Sequence, residues 1–278
     1  MVLMWASGFV FLTVPKRSRL FAVTISVLVI LNVWFIWGVV NPWSQSRDRI
    51  ICLHVEKGNA LVLESKSGDM LFIDPGSNVS RNNALAVVTD FLHFRNSEPV
   101  ADIGLTSCSY TRSGTVQLLH ENGLIHTLFA PSDYIADSTC VSITHGWDDI
   151  HRFHNFRIRT FKKTDQALDG IMVESPSGLR FLVLGEWGWI SDTRLAGEIS
   201  HGSTDIVYSG PARNHGPSHL LLRKARPKII IAGGTGSLEQ GAHDRTAGMG
   251  IKLMETMDGA VIIEDSGSYA TIRQIKRS

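Results

Sequence analysis

The stretch His54-Val55-Glu56-Lys57-Gly58-Asn59-Ala60-Leu61-Val62-Leu63-Glu64, followed after a polar turn by Leu71-Phe72-Ile73-Asp74-Pro75-Gly76, decides the fold. Ile50 to Val55, Ala60 to Glu64 and Met70 to Ile73 are short apolar runs, separated by Lys57-Gly58-Asn59 and by Ser65-Lys66-Ser67-Gly68-Asp69. Short apolar runs bounded by Gly, Asn, Ser and Asp predict strands joined by tight turns. Downstream, Ala84 to Phe94 carries apolar residues at helical spacing and Ile103-Gly104-Leu105 reads as a buried strand, so a strand, helix, strand unit follows the hairpins.

The pattern then repeats. Phe156 to Arg159, Ile171 to Glu174 and Arg180 to Leu184 form a second hairpin set. Asp205 to Tyr208 and Lys228 to Ala232 read as strands, Ser218 to Arg223 and Thr246 to Met257 as helices, and Ala260 to Glu264 with Tyr269 to Arg273 as a terminal hairpin. Two β-rich halves interleaved with helices predict an α/β protein built as an αββα sandwich.

Upstream of Arg47 the composition changes. Leu20 to Val40, LFAVTISVLVILNVWFIWGVV, is 21 residues without a charge, enough to span a roughly 30 Å hydrocarbon core as a helix. Trp34, Trp37 and Trp43 gather at its distal end, where indoles favour the headgroup layer, and Asn41-Pro42 stops the helix. Lys16, Arg17 and Arg19 precede it, so the positive-inside rule places the N-terminal flank in the cytoplasm. The expectation is a single-pass protein of a bacterial inner membrane, residues 1–46 forming the membrane segment and residues 47–278 an extracytoplasmic domain. The apolar run is too long for a signal-peptide core. Met1 to Thr13 is too short to cross by itself and reads as an interfacial segment or the tail of a further span.

A formal charge of +1 gives no basic balance across the whole surface. Cys52, Cys108 and Cys140 make no CxxC pair and no zinc-ribbon spacing. In an oxidising compartment they allow one disulfide and leave one thiol over.

The opening stretch resembles the start of the metallo-β-lactamase-like domain of ComEC-type competence proteins, where a D-V-G-Q-G-D-A run precedes a strand ending L-I-D-G-G. In the same order, Ile103-Gly104-Leu105-Thr106 resembles the strand before that family's metal motif, Leu184-Gly185-Glu186 its T-G-D, and Asn214-His215-Gly216 its H-H-G. Lys228 to Gly241 is similar to the segment before the last helix. The resemblance runs from Ile50 to the C-terminus and implies a metallo-β-lactamase-like fold. It also implies a relation to DNA uptake, with single-stranded DNA or a membrane protein as partner.

The residues depart from the family where its chemistry sits. Such hydrolases hold zinc with an H-x-H-x-D-H motif, because imidazoles and a carboxylate suit the ion and a bound water becomes a nucleophile. The resemblance puts Ser107, Ser109, Thr111 and Arg112 at those four positions, with Cys108 beside them. Hydroxyls are poor zinc ligands, and a guanidinium repels a dication. His54 and Asn59 stand for the first motif's aspartates, and Asn214 and Ala242 for histidines. Asp74, Glu186 and His215 remain as weak metal candidates. The implied protein is a catalytically degenerate member without a cofactor.

Two alternatives use the same residues. One is an active phosphodiesterase or nuclease with zinc or manganese on Glu186 and His215, assisted by Cys108 or His243. The other is a binding or assembly module that presents the former active-site face to a partner in the cell envelope; separately, Arg112 beside Ser107, Ser109 and Thr111 suits an anion such as phosphate. Outside these positions, His145, His151 and His154 with Asp148 and Asp149 invite a metal, although the segment reads as a polar loop and hairpin edge. Gly233-Gly234-Thr235-Gly236 lacks a phosphate-loop lysine and reads as a turn, as do Gly202, Gly210 and Gly216.

Overall fold

The computed structural model describes residues 25–33, 47–77, 80–95, 101–131, 144–164, 167–185, 188–210, 216–234 and 238–275. The chain divides into two compact units, Met1–Ser46 and Arg47–Ser278. In the first unit residues 25–33 are helical, and Leu28, Ile30 and Leu31 are more than half exposed. Among the described residues no helix is long and apolar enough to cross a membrane. The rest of the expected span, residues 20–24 and 34–40, lies outside the described residues.

The second unit contains two mixed sheets. Its strands are β1 (Asp48–Cys52), β2 (Gly58–Glu64), β3 (Met70–Ser77), β4 (Ala101–Gly104), β5 (Ile125–Ala130), β6 (Thr144–Gly146), β7 (Ile150–Phe153) and β8 (Phe156–Thr164). They continue as β9 (Ala167–Glu174), β10 (Arg180–Leu184), β11 (Ile206–Ser209), β12 (Ile229–Ala232), β13 (Lys252–Glu255), β14 (Val261–Asp265) and β15 (Ala270–Gln274). The helices are α1 (Arg81–Phe94), α2 (Tyr110–Ser113), α3 (Val116–Glu121), α4 (Gly188–Glu198), α5 (His219–Ala225) and α6 (Gln240–Gly248).

The first sheet has the order β15-β14-β1-β2-β3-β4-β5-β6 and the second β13-β12-β11-β10-β9-β8-β7. Each begins in sequence as antiparallel hairpins and continues as parallel strands reached through helices. The side-chain period of two sorts the core. Leu61, Leu63, Leu71 and Ile73 from one sheet pack with Phe181, Val183, Ile171 and Val173 from the other. Leu182 and Leu184 point the opposite way, onto Leu195 and Ile199 at α4 and Leu221 and Leu222 of α5. On the first sheet Phe72 meets Phe91 of α1 edge-on, with ring centroids 6.1 Å apart. Each sheet is therefore apolar on its inner face and where helices cover its outer face, and the αββα layering follows.

One expected element is different. Thr246 to Met257 does not continue as a helix: α6 ends at Gly248, Gly250 takes a left-handed φ of 67°, and Lys252–Glu255 pairs in parallel with β12. The parallel ladder with β12 overrides the helical spacing of Ile251 and Met254.

Candidate functional site

The carboxyl ends of β3, β4, β10 and β11 converge, and the loop after β4 crosses between the sheets there. In α/β sheets this is where ligands bind, because loops at strand ends are free to vary over a fixed frame. The crossing is built from backbone: Leu168 N–H donates to Thr106 O at 2.7 Å, Ser107 bridges to Ala167, and Leu105 N–H donates to Phe129 O at 2.8 Å. Trp147 closes it from the side, its indole N–H donating to Leu105 O at 2.7 Å. A Cβ on Gly104 would lie 2.6 Å from the Trp147 ring, so only glycine lets that ring seat.

Asp74 sits at an irregularity of β3. The register with β2 shifts between Asn59 and Leu61, and Asp74 has φ of 51°. Aspartate tolerates that left-handed conformation better than most residues, and the bulge turns its carboxylate toward the strand ends. There it accepts from Thr106 N–H at 2.7 Å and Thr106 Oγ1 at 2.7 Å, and forms an ion pair with Arg112. Arg112, one turn into the segment after the loop, is 1% exposed. Besides Asp74, its guanidinium donates to Thr106 Oγ1 at 2.7 Å and to Leu184 O at 3.2 Å. The pair thus ties β3, the β4 loop and the end of β10 into one buried network.

Tyr208 and Asn59 extend the network. The Tyr208 hydroxyl donates to Asn59 Oδ1 at 3.1 Å, and burial holds the phenol pKa well above its usual value, with Cys52 and Asp74 adding to the rise and Arg112 opposing it. Gly233 and Gly210 make room: a Cβ would come within 2.3 Å of the Tyr208 oxygen at the first and 2.5 Å of Asn59 Nδ2 at the second. Gly210 is therefore a packing glycine more than a turn residue. Cys52 is a fully buried thiol of the inter-sheet core, its pKa raised by desolvation.

The expected site residues divide as follows. Asp74 and Arg112 meet. Ser107 and Ser109 lie beside each other, with Ser107 Oγ donating to Ser109 Oγ at 3.0 Å, but Arg112 turns inward to Asp74 and not toward these hydroxyls as an anion site would require. Glu186, Asn214 and His215, and the side chain of Thr111, lie outside the described residues. His243 pairs with Glu255 at 3.7 Å, and Ala242 packs against Ala232 and Leu238. Of the histidines after Thr144, His151 packs tilted against Phe129 with ring centroids 4.5 Å apart, while His154 pairs with Asp69 at 3.1 Å; the side chain of His145 lies outside the described residues. Thr106 and Tyr208 were not singled out by sequence. Their signal is positional, each standing at the end of a strand beside the resembling motifs.

Zinc or manganese does not suit the described donors here. Asp74 already accepts from a cation and two donors, Arg112 would repel a dication at contact distance, and Ser107 and Ser109 are neutral hydroxyls. Among the described residues no group of three or more His, Cys, Asp or Glu is placed to hold a metal ion.

Two face-to-face mixed sheets flanked by helices, with loops gathered at the strand ends between them, define a metallo-β-lactamase fold. The chain is similar in structure to the metallo-β-lactamase fold protein YhfI from Bacillus subtilis, with TM-score 0.53, 8% identity, and 75% of this chain and 95% of that one covered. It is similar also to CmlA, a diiron β-hydroxylase from Streptomyces venezuelae, with TM-score 0.53, 10% identity, and 79% and 54% covered. At such identities the likeness is one of fold. No family model and no curated protein matches the sequence.

Proposed function

We propose that this chain is a membrane-tethered metallo-β-lactamase-like protein that has lost hydrolytic chemistry and serves the cell envelope as a binding or assembly module, related to the lactamase-like part of ComEC-type DNA-uptake proteins. The observation that carries the reading is the Asp74–Arg112 ion pair: where the resemblance puts a metal-binding histidine stands a buried guanidinium, neutralised by the carboxylate of the motif before it. An internal cation that the fold itself supplies takes over the electrostatic role of an ion that would otherwise neutralise Asp74.

The anchor in this reading is Leu20 to Val40, the domain lies on the extracytoplasmic side of a bacterial inner membrane, and the partners are single-stranded DNA or a membrane protein. The uncharged length and the basic flank of that segment support the tether. Two measurements on the full chain test the proposal. Sodium carbonate extraction of membranes leaves it in the pellet; full release contradicts the tether. Hydrolysis of bis(p-nitrophenyl) phosphate with zinc or manganese stays at the rate of metal alone. Turnover that disappears in Glu186→Ala supports an active hydrolase instead.

A further inference from the structure

On the outer face of the second sheet, arginines form a row. Arg152 lies opposite Arg157, Arg157 opposite Glu174, and Glu174 opposite Arg180, so four adjacent strands, β7 to β10, each present one member on the same face. Arg159, two residues beyond Arg157 on the same side, rests its guanidinium 4.9 Å above the Phe161 ring. Four arginines against one glutamate leave +3 on this strip, in a chain whose formal total is +1. Among the described residues none of these four guanidiniums makes an ion pair. Like charges placed directly across adjacent strands, about 4.8 Å apart, cost stability. Glu174, opposite both Arg157 and Arg180, and the Phe161 ring under Arg159 are set against that cost, one acid for four arginines.

The row borders a cleft of about 220 Å³. Leu195 and Ala196 of helix α4 and Ile199 just past it pack on this sheet, while Arg157 and Arg159 are exposed. Buried Phe161, Met172 and Ile199 give the cleft an apolar part, and Ser200, Ser203, Arg157, Arg159, Arg180 and the single carboxylate of Glu174 complete its lining, three guanidiniums against one acid. Guanidinium forks suit a phosphate, hydroxyls add donors, and an apolar part suits an organic group attached to it.

We propose that this cleft is a binding site for a small organic phosphate, a phosphomonoester whose phosphate is held by Arg157, Arg159 and Arg180 and whose organic part lies on Phe161 and Met172. The site is on the helix-covered face of the second sheet, away from the inter-sheet strand ends of the Asp74–Arg112 network, and does not depend on how that network is read. Calorimetric titration of the full chain in detergent at low salt, with phenyl phosphate as the probe, tests it. Saturable binding is expected near one equivalent, tighter than inorganic phosphate because the ring meets the apolar part of the cleft. The Arg157→Ala, Arg180→Ala double variant weakens binding at least about tenfold, and the matching double lysine variant recovers part of the loss. These side chains make no ion pair, so thermal melts of the alanine variants remain at or above the parent value. No saturable binding of phenyl phosphate overturns the proposal, as does equal binding to the alanine double variant. An oligonucleotide that binds through the same arginines and is not displaced by phenyl phosphate also overturns it, and makes the strip a nucleic-acid surface.

Discussion

Asp74 and Arg112 are two buried charges that meet at the strand ends. A lone buried carboxylate in a left-handed turn would be protonated or bind a cation, and a lone buried guanidinium is worse still. Together with Thr106 they satisfy most of each other's needs. The account therefore predicts that Arg112→Met costs about 3–5 kcal/mol in urea denaturation, since it strands the carboxylate, and that adding Asp74→Asn recovers part of the loss. A second prediction concerns Asp265. Burial works to raise its pKa, but hydrogen bonds from Ser175, from Ser177 and from Gly267 N–H prevail and lower it. A carboxylate depressed on folding stabilises the protein above its unfolded pKa of about 3.9. That stability is lost as pH falls through the folded value. Asp265→Asn should therefore flatten the acid limb of a stability-against-pH curve below about pH 4, and lower the plateau near neutrality by about 1–3 kcal/mol. Neither pairing is legible in sequence: Asp74 and Arg112 are 38 positions apart, and only the parallel packing of β3 on β4 brings them together.

At the scale of elements, the opening hairpin could be read because β2 and β3 obey period two between strong turn residues. The strand ends carry the finer constraint. Gly233→Ala presses a methyl onto the Tyr208 hydroxyl and should cost about 1–3 kcal/mol. Tyr208→Phe removes that oxygen and one hydrogen bond, costing about 1 kcal/mol alone, and should soften the Gly233→Ala penalty. Additive melts of the two variants would contradict the contact. The stretch Thr246 to Met257 misled because Ile251 and Met254 fit a helix face and a buried parallel strand equally well, and only pairing with β12 decides between them. Helix α4 escaped notice for a related reason. Its apolar residues Leu195 and Ala196 are adjacent and Gly188 and Gly197 lie at its two ends, so no long helical stripe forms.

At the scale of the molecule, the layered fold was legible from the order of hairpins and helices, while at the strand ends the sequence showed only hydroxyls and a guanidinium where the resemblance puts metal ligands. The buried ion pair that ties the strand ends together needs the three-dimensional register. The arginine row escaped for the same reason: Arg152, Arg157 and Arg180 look unrelated until three strand pairings align them. The most direct test of the central claim is metal content. The purified full chain, incubated with excess zinc and dialysed without chelator, should retain well under one equivalent by mass spectrometry of the metal, unchanged in His215→Ala. Retention of one or more equivalents, lost in His215→Ala, would contradict the account.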